Sequence, residues 1–111
     1  MTTVRTLQPA VLQTIIDAVT GTGAGLTFGL PVRACVLAWQ TSFGVAPAAV
    51  SITIEVSLDN VAWTVIDTST AVGGEVRTID TPTAAIFVRA NVGTNTGSPA
   101  VTVTIIAKPV D

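Results

Sequence analysis

The 111-residue chain contains no histidine and no tyrosine, a single cysteine (Cys35), five basic and seven acidic residues, and charged side chains make up only 11% of it. Without histidine, neither a Ser/His/Asp triad nor a Cys/His pair can be assembled. One cysteine and scattered carboxylates supply neither a zinc site nor an intrachain disulfide. The expectation is therefore no catalytic residues, no cofactor, no metal, and a protein that is not an enzyme. Five basic residues spread along the chain under a net charge of −2 form no phosphate-reaching patch, so nucleic acid is not an expected partner. Gln8, Pro9, Gln13, Thr14 and Asp17 interrupt any signal-peptide core at the start of the chain. The longest uncharged stretch, 34–54, carries Gln40, Thr41, Ser42, Gly44, Pro47, Ser51 and Thr53, too many polar residues and breakers for a membrane-spanning helix. Cytoplasmic synthesis and no membrane association are expected.

What is present is apolar surface. The hydrophobic set reaches 49%, which excludes a disordered chain. A globule of this mass exposes about 5,700 Å² by surface scaling, so its twelve charges are spread at about one per 480 Å². That sparseness favours a chain whose exterior is partly interface within an assembly, a homo-oligomer being expected.

The periodicity is that of β-structure. Val50, Ile52, Ile54, Val56 and Leu58 alternate with Ser51, Thr53, Glu55, Ser57 and Asp59, and Val101, Val103, Ile105 and Ala107 alternate with Thr102, Thr104, Ile106 and Lys108. Val61, Trp63 and Val65 suggest a further strand face, as do Ile86, Val88, Ala90 and Val92. Residues 32–41 are apolar at both parities, the pattern of a central strand covered on both sides. Residues 26–30 and 76–80 add short strands. Residues 10–19 match either a strand or a helical stripe, and strand is preferred because no N-cap precedes them. Turn signals fall at 21–25, 44–49, 59–60, 73–74, 82, 93–99 and 109. The whole predicts one all-β domain over 10–108, an antiparallel β-sandwich, jelly-roll-like, with about seven or eight strands, flanked by an N-terminal arm (1–9) and a C-terminal tail (109–111).

Structural and functional readings compete at several residues. Trp39 and Trp63 fit core packing better than a sugar platform in a chain so poor in aromatics. Asp59, Asp67 and Asp80 lack the spacing of a calcium loop and are expected to cap turns. The 21–25 run, GTGAG, has no following Lys-Ser/Thr and reads as a flexible strand connection rather than a phosphate loop. Arg33, Arg77 and Arg89 are placed to pair with Glu55, Glu75 or Asp67. Cys35, inside an apolar run, reads as a small buried hydrophobe.

Ser57, Asp59, Asn60 and Trp63, followed by the Phe87–Asn91 run and the Val101–Ile105 run, resemble a pattern in small β-sandwich structural proteins of tailed bacteriophages. The resemblance spans about residues 15–107 and implies a virion role. The implied protein is a capsid decoration, or cement, protein that binds the outer capsid surface after synthesis in the host cytoplasm, forms a trimer, and bridges subunits of the major capsid protein. On this reading the partner contacts would come from Val4, Arg5 and Leu7 of the arm and from Thr94, Asn95 and Thr96 of an exposed loop. Two alternatives share the fold: a carbohydrate- or receptor-binding module of a fibre or adhesin, and a head or tail completion protein.

Overall fold

In the computed structural model, residues 4–6, 13–30, 35–83 and 85–109 are described. Ten strand segments run through them: β1 (Val4–Thr6), β2 (Gln13–Val19), β3 (Gly23–Ala24), β4 (Thr27–Gly29), β5 (Cys35–Phe43), β6 (Ala49–Ser57), β7 (Thr64–Ser69), β8 (Glu75–Thr83), β9 (Phe87–Thr96) and β10 (Val101–Pro109). Strand is the only regular structure among the described residues.

One sheet has the order β1-β4-β9-β6-β7, with β3 also paired to β9, and the other has the order β2-β10-β5-β8. Because β3 and β4 both pair with β9, they act as two pieces of one interrupted strand. Nine strands result, and the eight that remain when β1 is left aside form two four-stranded sheets in the order of a jelly roll; every pairing is antiparallel except that of β1. The predicted β-sandwich is the observed fold.

Period-two alternation puts Val50, Ile52 and Ile54 of β6 and Val88, Ala90 and Val92 of β9 inside, facing Leu37 and Trp39 of β5 and Val101, Val103, Ile105 and Ala107 of β10. Cys35 lies fully within this core. The 10–19 segment resolves as strand over its described part, with Ile15 and Ile16 buried.

Several expectations are corrected. Val4–Thr6 do not lie outside the sheets; they add a parallel edge strand along Thr27–Gly29, which satisfies backbone groups that β4 would otherwise leave bare. The 93–99 segment is not a loop throughout, since β9 continues to Thr96 on the ladder of β6. The 21–25 run is not a flexible connection: Gly23 and Ala24 pair with Val92 and Asn91, and the Gly25 N–H donates to the Ala90 carbonyl at 2.8 Å. A side chain at Gly25 would run into the Ile15 carbonyl oxygen, so glycine is what allows this close approach to β2. Finally β7 starts at Thr64, with Val61 and Val65 exposed and Ile66 packed toward the core. A register shift between Ile54 and Glu55 against β7 sets that parity, and it is not visible in the strand's own alternation.

Candidate functional site

Most of the charge in the described residues is used internally. Asp67 on β7 accepts the Trp39 indole Nε1–H at 2.9 Å and the Arg77 Nε–H at 3.0 Å, both through Oδ2. Arg77 also reaches Glu75 at 3.3 Å, and Glu75 accepts from Ser69 Oγ while its own N–H donates to Thr41 Oγ1. This network ties the β7 edge of one sheet to the β8 edge of the other. Burial works to raise the Asp67 carboxyl, but Arg77, the indole and the Thr68 N–H together outweigh it and hold it below the usual carboxylate range. Arg77 is raised in return, chiefly by its hydrogen bond to Asp67.

On the outer face of the larger sheet, Arg89 donates to Glu55 across the β6–β9 ladder at 2.7 Å, and its guanidinium lies 4.1 Å from the centre of the Trp63 ring. Glu55 is only 8% exposed beneath this pair. The pairings expected of Arg77 and Arg89 are therefore present, although Arg77 bridges the two sheets rather than two strands of one. Arg33 lies outside the described residues.

The Ser57–Ala62 turn has the geometry its sequence predicts. Ser57 Oγ accepts the Asp59 and Asn60 N–H groups, Asp59 Oδ1 accepts those of Val61 and Ala62 at 2.9 Å, and Asn60 has φ of 61°. The backbone N–H donors of Ala62 and Val61, with the Ser57 hydroxyl, lower the Asp59 pKa. Of the three aspartates expected to cap turns, only Asp59 does so.

Four connections converge at one end of the sandwich, 20–22, 44–48, 70–74 and 97–100, and none contains a charged residue. Three of them, 20–22, 44–48 and 97–100, are knit together. Gly44 N–H donates to the Ala100 carbonyl at 3.0 Å, Ala48 N–H to that of Thr96 at 3.1 Å, and Asn95 Nδ2 to the carbonyls of Thr20 and Pro99 at 3.2 and 3.0 Å. Val45 stands 74% exposed and Val72 41% exposed on this end.

The predicted contact residues that are described fall at two separate places in the larger sheet. Thr94 and Thr96 are exposed beside this uncharged end, whereas Asn95 turns inward and bridges two of its loops. Val4 and Arg5 lie in β1 opposite Thr27 and Phe28, and Phe28 pairs with Val88. Val88 and Asn95 are seven positions apart along β9, about 23 Å along the strand. Leu7 lies outside the described residues. The signal that sequence reading missed is topological: loops distant in the chain, each unremarkable, share their lack of charge and the same end of the fold.

Among the described residues no three His, Cys, Asp or Glu side chains are grouped to hold a metal ion, and no helix is long and apolar enough to cross a membrane. No protein-family model matches the chain, and no curated protein matches it.

Proposed function

We propose that the protein is a structural component of a tailed-phage virion, a decoration protein that docks on the major capsid protein at the outer surface of the head. The observation that carries this reading is the uncharged loop end, where Val45 and Val72 stand exposed on the connections and Thr94 and Thr96 on the adjoining end of β9, three of the four connections being cross-linked by hydrogen bonds. A surface of this kind loses little polar solvation on burial and is already ordered, so association orders few additional groups. Repetition over many equivalent shell positions would turn modest single contacts into resistance to expansion of the shell. The jelly roll is a fold used by viral shells and by lectins alike, and supports the reading only at that level.

The test is co-sedimentation of the purified chain with tailed-phage heads prepared without it. Saturable binding at a fixed stoichiometry, weakened by Val45→Asp, is expected; heads that sediment bare at every concentration would reject the proposal. The glycan-binding alternative has less support, because Trp39 is 2% exposed and one face of the Trp63 ring is covered by Arg89.

A further inference from the structure

The outer face of the smaller sheet presents Val36, Ala38, Gln40 and Ser42 from β5, Thr102, Thr104, Ile106 and Lys108 from β10, and Val76, Thr78 and Asp80 from β8. Over residues 35–39 the sequence of β5 is apolar at both parities, the signature of a strand covered on two sides. The fold covers one side only. The small side chain of Ala38 leaves a shallow trough between Ile106 and the β8 side chains, and Val76 at its margin is 65% exposed.

Charge decides what fits there. Glu55, Asp67, Glu75, Arg77 and Arg89 are bound into ion pairs, and Asp59 is taken up by its turn. Among the described residues Asp17, Asp80 and Lys108 have no ion-pair partner; Asp17 lies on the edge strand β2, whereas Lys108 and Asp80 line the same trough from opposite sides, one on each strand flanking β5. Opposite charges placed on either side of a central strand are self-complementary. A two-fold axis running along β5, midway between two facing sheets, carries Lys108 of one copy over Asp80 of the other, and does so twice. The same rotation sets Ala38 against Ala38 and Val36 against Val36, where small side chains permit the spacing of about 10 Å at which sheets pack.

We propose that this face is covered by a second copy of the chain, packed sheet to sheet about a two-fold axis. With the axis on β5, the strands that overlap are β10, β5 and β8, nine residues each, a face of about 14 by 30 Å, or about 850 Å² for the two copies together. That is below the standard size of a specific interface, so the dimer is weak and forms only at high concentration. The contact is isologous and closes on itself, which makes a dimer the smallest closed unit in place of the expected trimer. It does not depend on the capsid reading and leaves the uncharged loop end free.

Sedimentation velocity on the purified full-length chain, from low micromolar to near-millimolar concentration, tests it without any capsid. The wild type is expected to dimerise with rising concentration. Lys108→Asp and Asp80→Lys, both at exposed positions, should each raise the dimer dissociation constant by about tenfold or more, since every cross-copy pair becomes repulsive. Mixing the two single variants should restore association as a heterodimer, because one copy then carries two acidic side chains at these positions and the other two basic ones, and both cross-copy pairs are again attractive. A wild type that stays monomeric throughout, or an oligomer indifferent to both substitutions and to their mixture, would overturn the proposal. Capsid co-sedimentation is scored separately, so either proposal can fail alone.

Discussion

Trp39, in the middle of the core, donates its indole N–H to Asp67 on the opposing sheet at 2.9 Å. A buried tryptophan needs a partner for its one polar atom, and here the partner is a carboxylate that also holds Arg77, so one side chain closes the β7–β8 edge. Asp67→Ala is expected to leave the indole N–H unsatisfied and to cost about 1–3 kcal/mol, whereas Asp67→Asn retains an acceptor and costs less. Urea unfolding followed by tryptophan fluorescence gives both values.

The same carboxylate makes stability depend on pH. Its pKa is depressed below 3.8 in the folded state, so its contribution is fully present above that unfolded value and is lost as pH falls through the folded one. Thermal midpoints are expected to stay level through mildly acidic pH and to fall once pH drops below about 4. In Asp67→Asn that acid limb should be shallower; an unchanged limb would assign the acid sensitivity elsewhere.

Two glycines are constrained by backbone rather than by flexibility. Gly74 has φ of +81°, and a Cβ there would sit 2.6 Å from the Thr41 carbonyl oxygen. Gly25 faces the Ile15 carbonyl oxygen. Alanine at either site should cost about 2–4 kcal/mol, seen as a lowered denaturant midpoint, while alanine at Gly73, where a side chain meets nothing within 4 Å, serves as the tolerated control.

The two tryptophans should separate spectroscopically. Trp39 is buried, and Trp63 is half-buried just before β7. Acrylamide is expected to quench Trp63 and spare Trp39, so Trp63→Phe should leave blue-shifted emission that resists quenching. A glycan titration that changes this spectrum would count against the structural reading of both rings.

Strand positions were legible where one face is apolar and the other polar, as in β6 and β10, because burial on one side writes period two directly into the chain. Asn60, with its left-handed backbone, was legible for the same local reason: the turn chemistry of Ser57 and Asp59 is complete within six residues. Trp63 and Val65 were not, because their orientation follows from a register shift against β6 that involves the partner strand's pairing. Asn95 looked like a loop contact and is an internal tie, since its acceptors at Thr20 and Pro99 meet it only at the shared end of the sandwich.

Local periodicity and residue counts were enough to establish an all-β sandwich, its principal core faces, its sparse charge and its lack of a histidine-based catalytic set. That β1 joins a sheet, that the uncharged loops gather at one end, and that Lys108 and Asp80 stand across one trough became visible only in the folded chain. Those relations arise from strand order and register, which are set by non-local pairing between segments tens of residues apart, and no local pattern encodes which strands will become neighbours.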